Sequence, residues 1–291
     1  MQKLAVWLVT ILGLGVSGRA SADAIFERGE AAVQVAEQMA EAIRRGDREG
    51  FAKLFVPEGQ LYERAGVRNG REEIGGLLAD RFEGGAPMRL VRPAVVLNAP
   101  EIWLFFDWEL GEDGEEGTCV ARLTWGADGW EVLVADLDGG TLDLPPAGFD
   151  PRPAYGQLLE PIETMTAAAI ALDAGDHAAL QPLLEAESFL FVDDLGREWV
   201  GPGALVQMAF TPIPEALNAD AMRLLVSPPS RRAIAYQRLE DRRVSLQLER
   251  RAGAWKIVAA SLSRPLETLP VSPEGLKATT WGQLRSEEES H

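Results

Sequence analysis

Few side chains in this sequence combine a reactive type with a suggestive position. Asp107 lies among the aromatic residues of segment 102–110, and Asp136 ends the alternating apolar segment 130–136. A carboxylate surrounded by apolar groups is disfavoured as an anion, so its pKa rises and it can take a proton from a carbon acid. Tyr62 can donate a hydrogen bond to the oxyanion that forms in such a step. These three residues are the candidates for acid–base chemistry.

Each candidate also has a plainer interpretation. Asp136 is merely solvated if its strand ends at the surface, and Asp107 is merely solvated if it lies on an outward face. The aromatic segment 102–110 is typical of a core as well as of a ligand platform. The candidates do not form a pair of one acid and one base. This favours a non-catalytic protein over an enzyme.

Metal and cofactor chemistry have weaker support. The two histidines are His177, in a predicted helix, and the terminal His291. Segment 136–139 is similar to the start of a calcium-binding loop, but the twelfth position is Ala147 rather than an acid. The sequence contains no P-loop and no nucleophile elbow. We therefore expect no metal and no cofactor, and we expect the single cysteine, Cys119, to be a buried small side chain.

The net charge and the N-terminal segment limit which partners and which cellular compartment are expected. The chain has 291 residues and a formal net charge of −17, a surface that repels nucleic acid and anionic membranes. Lys3, the apolar run 4–16 and the small residues 20–22 form the pattern of a signal peptide that is cleaved after Ala22. The sequence predicts a periplasmic or secreted protein without stable membrane insertion after cleavage. Its expected partner is a small apolar molecule or another protein.

Two corners of the same design organise the chain. Gly46 and Asp47 form the first corner, and Gly175 and Asp176 form the second. Glycine reaches the left-handed conformation that ends a helix. Aspartate then caps the next helix with its carboxylate. Each corner therefore predicts a helix, a sharp turn and a second helix, with the two aspartates as caps.

The elements after each corner also repeat in order. A short strand follows, then a third helix that starts near Gly70 or Gly201, then four strands. This order predicts an internal duplication. The predicted organisation is a signal peptide (1–22), a first domain (23–139), an extended Pro-rich linker (140–152), a second domain (153–264) and a flexible acidic tail (265–291).

This arrangement resembles the NTF2-like superfamily, in particular its SnoaL-like branch. The resemblance rests on the two Gly-Asp corners, on Gly70 and Gly201, and on the final strands that begin at Trp130 and Trp255. It implies an α+β fold: two tandem cone-shaped domains, each with three N-terminal helices packed on a curved antiparallel sheet. It also implies that the two domains can pair as a pseudo-dimer within one chain.

The resemblance implies a pocket inside each cone. Alternation on the final strand places Trp130, Val132, Val134 and Asp136 on one face, which we expect to point inward. Many relatives have histidines at the positions of Val134 and Asp136, and their absence here counts against shared acid–base chemistry. The residues expected to line the pockets are Tyr62, Trp103, Trp130, Asp136, Tyr236, Trp255 and Ser261.

Two functions are therefore open from the sequence. The first is non-catalytic binding of a small apolar molecule or of a partner protein. The alternative is a cofactor-independent isomerase, cyclase or dehydratase, because relatives of this fold catalyse such reactions. In that case Asp136 or Asp107 is the general base and Tyr62 the hydrogen-bond donor.

Overall fold

The fold was analysed in a computed structural model of the chain. The structure describes residues 28–82, 85–98, 101–110, 114–126, 129–138, 149–210, 218–229, 231–239 and 243–263. The predicted signal peptide, most of the predicted linker and the predicted tail lie outside these ranges. Among the described helices, no helix is both long and apolar enough to cross a membrane.

The described helices divide into two groups along the chain. The first group is 28–45 (α1), Arg48–Lys53 (α2) and Gly70–Arg81 (α3). The second group is Arg152–Gly156 (α4), Leu159–Asp173 (α5), His177–Leu180 (α6) and Pro202–Phe210 (α7). Two 3-10 helices, Gln181–Leu183 and Ala219–Ala221, also belong to the second half. The expected three helices per domain are therefore wrong as a count, because the second half has more.

Within the described ranges, each half also contributes six strands. The strands of the first half are Phe55–Glu63 (β1), Gly66–Asn69 (β2), Met88–Asn98 (β3), Glu101–Leu110 (β4), Glu116–Trp125 (β5) and Trp130–Asp136 (β6). Those of the second half are Leu190–Val192 (β7), Glu198–Val200 (β8), Arg223–Ser227 (β9), Arg232–Arg238 (β10), Arg243–Arg251 (β11) and Ala254–Ser263 (β12).

All twelve strands form one continuous sheet. Their order is β2-β1-β6-β5-β4-β3-β9-β10-β11-β12-β7-β8. The second half therefore repeats the strand order of the first half, starting from the opposite edge. The halves meet where β3 and β9 pair in parallel, with Ala94 opposite Leu224 and Val96 opposite Val226.

The two Gly-Asp corners have the predicted geometry. Gly46 and Gly175 have φ angles of 65° and 63°, in the left-handed region. The Asp47 carboxylate accepts a hydrogen bond from the Gly50 N–H at 2.8 Å. The Asp176 carboxylate accepts one from the Ala179 N–H at 2.9 Å. Both aspartates are thus N-caps, as the sequence predicted.

The helices after these corners are shorter than predicted. Phe51, Leu54 and Phe55 have the spacing of one helical face, but α2 ends at Lys53 and Phe55 begins β1. The short spacing of these apolar residues fits a helix and the start of a strand equally well. The hairpins that β2 and β8 form with their neighbours were not predicted, because each of these strands has only three or four residues.

The sheet separates two hydrophobic cores. The first core contains the buried residues of α1 and α3, among them Ile43 and Leu77. The second core contains those of α5 and α7, among them Met165 and Met208. Alternate residues of one strand enter different cores: Val95 belongs to the first core, and Ala94 and Val96 belong to the second. The helices of the two halves therefore cover opposite faces of the same sheet.

Each core also contains residues from the other half of the chain. Leu225 and Tyr236, from the second half, belong to the first core. The first half contributes six side chains to the second core: Ala94, Val96, Trp103, Phe105, Val120 and Val134. The two halves thus share their cores across the sheet.

A bulge in β6 changes which way its side chains face. Leu123 pairs with Val132 and Arg122 pairs with Val134, so Leu133 has no partner on β5. Val132 consequently lies in the first core and Val134 in the second. The prediction that Trp130, Val132, Val134 and Asp136 share one face is wrong, because simple alternation fails at this bulge.

The second half has a bulge at the corresponding place. On β12, Leu248 pairs with Ile257 and Gln247 pairs with Ala259, which leaves Val258 without a partner on β11. Ile257 lies in the second core, the one covered by the helices of its own half. In both halves the unpaired residue is the third after the tryptophan of the last strand. Beyond it, the side chains that would face one side of the sheet by simple alternation face the other side.

Candidate functional site

Most of the predicted pocket residues of the first half lie on the sheet face that the second half covers. Phe149 is 3% exposed and packs there between two of them. Its ring centroid is 6.1 Å from that of Tyr62 and 5.3 Å from that of Trp103, and both pairs are stacked. Helix α4 follows at once, so the end of the predicted linker is packed against the sheet.

Asp136 belongs to the same face. It pairs in register with Tyr62 on β1 and with Val120 on β5. The residue is buried, and its Oδ1 accepts a hydrogen bond from the Asp138 N–H at 2.9 Å. The structure thus brings Tyr62, Trp103 and Asp136 together, but against the second half and away from α1.

Asp107 lies on the rim of a cleft between the sheet and α5. We call this space, about 140 Å³ in volume, the seam cleft. It is lined by Arg92, Ala94, Phe105, Phe106, Asp107, Thr118, Tyr155, Leu158, Leu159, Ile162 and Glu163. A cavity of about 150 Å³ with an apolar lining holds a molecule the size of benzene.

Both carboxylate oxygens of Asp107 accept hydrogen bonds. Oδ1 accepts one from the Thr118 hydroxyl at 2.7 Å, and Oδ2 accepts one from the Arg92 guanidinium at 3.0 Å. Thr118 is directly opposite Asp107 on β5, so the sheet register fixes the first contact.

Arg92 is held in place by an irregularity in β3. The pairing between β3 and β4 shifts between Val91 and Ala94, and Arg92 has a φ angle of 48°. This left-handed conformation is unfavourable for a residue with a Cβ atom and is concentrated at functional sites. The Arg92 guanidinium also lies 3.8 Å from the Asp220 carboxylate.

The rim of the seam cleft is therefore acidic. Among the described residues that line it, Arg92 is the one cation and Asp107 and Glu163 are the two carboxylates, and the Asp220 carboxylate lies beside Arg92. The floor is apolar, since Ala94, Phe105 and Leu158 are buried. The cleft is suited to a small apolar molecule that is neutral or positively charged.

The remaining predicted pocket residues do not join this group. Trp130 and Tyr236 pack against the first core, while Trp255 packs against the second core within its own half. Ser261 is in register with Ser245, which in turn pairs with Tyr236. The seven predicted residues therefore lie at several places on the two sheet faces.

Tyr236 is enclosed by charged groups of both halves. The Arg243 guanidinium lies 4.3 Å from its ring centroid, and Arg223 lies 6.0 Å from it. Arg243 also pairs with Glu30 of α1. Burial, reinforced by the nearby Glu30 carboxylate, raises the pKa of the Tyr236 phenol well above its usual value. Tyr236 is therefore a neutral packing residue at neutral pH.

Two other predictions concern metals and the thiol. Cys119 is buried and free, as expected. Burial and the nearby carboxylates of Asp136 and Asp138 raise the pKa of the Cys119 thiol, so it remains protonated. Within the described ranges, no cluster of three or more His, Cys, Asp or Glu side chains could bind a metal ion.

Sequence reasoning missed Arg92, Phe149 and Tyr155. Phe149 was assigned to an extended linker because of its proline neighbours, although a single large apolar residue in such a segment is itself a packing signal. Arg92 precedes Pro93, and that dipeptide inside a strand indicated a bulge. Neither signal identifies the partner surface, which comes from the other half of the chain.

No protein-family model matches the chain, and no curated protein matches it. Solved structures match parts of it. An NTF2-like protein with a cystatin-like fold from Novosphingobium aromaticivorans is 15% identical over 40% of this chain and 84% of its own, with a TM-score of 0.35. An NTF2-like superfamily protein from Salmonella enterica is 14% identical over 38% and 89%, with a TM-score of 0.33.

A third solved structure is an NTF2-like protein of unknown function from Shewanella oneidensis. It is 16% identical over 38% of this chain and 98% of its own, with a TM-score of 0.32. Over part of its length, the chain is thus similar to proteins with the NTF2-like, cystatin-like fold.

Proposed function

We propose that this protein is a non-catalytic binding protein whose seam cleft holds a small, largely apolar molecule. One observation carries the proposal: an apolar cleft of about 140 Å³ has the predicted carboxylate Asp107 on its rim, with both oxygens already hydrogen-bonded. A carboxylate that two hydrogen bonds hold in position is suited to orient a ligand. The acidic rim selects a neutral or cationic ligand over an anion.

The test compares three probes of similar size and different charge. Benzylamine, benzyl alcohol and benzoate are titrated into the protein by calorimetry. We expect benzylamine to bind more tightly than benzyl alcohol at this cleft, and benzoate not to bind there. In the Asp107→Asn variant, the preference for the amine should fall by about tenfold, since one charged hydrogen bond is lost.

Glu109→Gln is the matched control. Glu109 lies two residues further along β4 and pairs with Arg89, much as Asp107 pairs with Arg92, but it is outside the cleft. Its replacement should leave amine binding unchanged. Equal binding of the amine in wild type and Asp107→Asn would contradict the proposed role of this cleft.

The catalytic alternative is kept because Asp107 faces an apolar space, the setting that proton abstraction from carbon requires. Wild type, Asp107→Asn and Asp136→Asn are screened against steroid-like and polyketide-like substrates. We expect no turnover by any of them. Turnover by the wild type that either substitution abolishes would replace the binding proposal with an isomerase, cyclase or dehydratase.

We also propose that the halves are two copies of one NTF2-like module that form a pseudo-dimer within the chain, and that the chain is exported. The repeated strand order, the paired Gly-Asp corners and the matching bulges at Leu133 and Val258 support the duplication. The N-terminal apolar run supports export. N-terminal sequencing of the protein from its native host tests cleavage after Ala22.

A further inference from the structure

A second cleft lies in the second half, and its lining residues differ from those of the seam cleft. We call it the Trp255 cleft, and its volume is about 210 Å³. It is lined by Gly156, Gln157, Glu160, Val226, Pro228, Arg231, Arg250 and Trp255. Val226 and Trp255 pack with the second core and provide an apolar wall. The space is large enough for one aromatic ring with a polar substituent.

The charge of this cleft is opposite to that of the rest of the protein. Arg231 and Arg250 face one carboxylate, Glu160, in a chain whose net charge is −17. The Glu160 carboxylate lies 3.3 Å from the Arg250 guanidinium, but both side chains are about half exposed. Such an exposed pair is weak and can yield to a competing anion.

Arg231 is the side chain without such a carboxylate neighbour. Among the described residues, no acidic side chain forms an ion pair with its guanidinium. Its φ angle is 53°, a strained value for a residue other than glycine. Backbone bonds hold it there: its N–H donates to the Pro228 carbonyl at 3.1 Å, and its carbonyl accepts from the Arg250 N–H at 3.0 Å. The turn thus joins Arg231 to Arg250 by a backbone hydrogen bond, and both residues line the cleft.

Two residues at the junction of α4 and α5 add polar groups to the wall of the cleft. Gln157, the C-cap residue of α4, and Glu160, in the first turn of α5, both line it. In addition, the Gln157 Oε1 is buried and has no hydrogen-bond partner among the described residues. A ligand hydroxyl or N–H group could donate to this amide oxygen, whereas a carboxylate could not.

We propose that the Trp255 cleft binds a small aromatic carboxylate. The carboxylate would pair with Arg231 and Arg250, because a planar guanidinium matches a carboxylate with two parallel hydrogen bonds. The ring would lie against Trp255, Val226 and Pro228. This site is independent of the seam cleft, whose acidic rim rejects the same ligand.

The experiment uses benzoate as the probe and calorimetry on the full chain. We expect saturable binding of benzoate, and binding weaker by about tenfold or more in Arg231→Gln and in Arg250→Gln. Arg232→Gln is the matched control, since Arg232 is adjacent in sequence but pairs with Glu249 outside the cleft. Circular dichroism melting of each variant establishes that it is folded.

Four outcomes decide the matter. Weaker benzoate binding in the Arg231 and Arg250 variants, with unchanged binding in the control, supports the site. Benzoate binding that survives both substitutions overturns it, and so does the absence of saturable binding to the wild type. If inorganic phosphate displaces benzoate as readily as benzoate itself binds, the proposal that the ligand is aromatic is overturned. Benzylamine binding at the seam, measured on the same variants, should be unaffected, so failure of one site is distinguishable from failure of the other.

Discussion

The two halves of the chain share a backbone plan, but the cleft between the halves and the cleft within the second half differ in charge. Both have the same strand order, a Gly-Asp corner and a one-residue bulge in the last strand. The seam cleft nevertheless has an acidic rim, and the Trp255 cleft has two arginines against one glutamate. The comparison teaches that caps and register fix the framework, while a few rim side chains set what each cleft can bind.

The largest expected effect concerns the packing between the halves. Phe149→Ala removes a buried ring that stacks on Tyr62 and Trp103. Because a cavity remains, we expect the free energy of unfolding in urea to fall by about 3–5 kcal/mol. Trp125→Ala is the control, since Trp125 is 59% exposed and contacts Trp130 within the first half. A loss below about 1 kcal/mol for Phe149→Ala would mean that the halves do not depend on this contact.

The next effect tests whether the corners are equivalent. Asp47→Ala and Asp176→Ala each remove one cap hydrogen bond, and each should cost about 1 kcal/mol of unfolding free energy. The two losses should agree because the two caps have nearly the same geometry. Glu49→Ala, in the exposed first turn of α2, is the control and should have a smaller effect. Losses that differ severalfold would break the equivalence of the corners.

The third prediction concerns how stability depends on pH in the two short hairpins, β7–β8 and β1–β2. In the second half, burial raises the pKa of Asp193, but hydrogen bonds from the Arg197 N–H and guanidinium and from the Leu195 N–H outweigh it. The pKa of Asp193 therefore lies below its ordinary value. The corresponding hairpin in the first half joins Glu63 to Arg68 at 2.8 Å.

A depressed pKa stabilises the fold at pH values above the unfolded pKa of about 4. This stabilisation is lost as the pH falls through the folded value. Asp193→Asn should therefore be less stable than wild type at pH 7, and the difference should shrink on acidification to about pH 3. Urea unfolding at both pH values measures it. A difference that is independent of pH would show that the loss comes from packing and not from the ionised carboxylate.

The smallest effect is that of an ion pair between the halves. The Arg223 guanidinium of β9 donates to the Glu37 carboxylate of α1 at 2.9 Å, and both side chains are partly exposed. A double-mutant cycle with Arg223→Gln and Glu37→Gln should give a coupling of about 0.2–1 kcal/mol that decreases with added salt. A coupling that is insensitive to salt would contradict this assignment.

The sequence was most informative where structure is local. Gly46 with Asp47 and Gly175 with Asp176 identified both corners and both caps, because conformation and hydrogen bonding there depend on adjacent residues. The final strand of the first half was also predicted to begin at Trp130, and β6 begins there. The predicted length of α2 was wrong because the position of Phe55 fits both the helical and the strand period.

The sheet face on which Asp136 lies could not be predicted from the sequence, for a physical reason. It depends on the unpaired Leu133, and a bulge is a property of two strands in register rather than of either alone. The same holds for Tyr62 and Trp103, whose covering residue, Phe149, lies outside their own half. Candidate residues could be proposed by type, but the face on which each lies could not.

The matching bulges make the final strand of each half tolerant of the loss of one residue, in a way that composition does not reveal. The residues on either side of Leu133 and of Val258 already pair with adjacent positions of the neighbouring strand, so deleting the unpaired residue would keep every pairing and leave Asp136 facing the second core. Natural forms of this chain that lack either bulge residue should therefore keep the same core-facing side chains in β6 and β12.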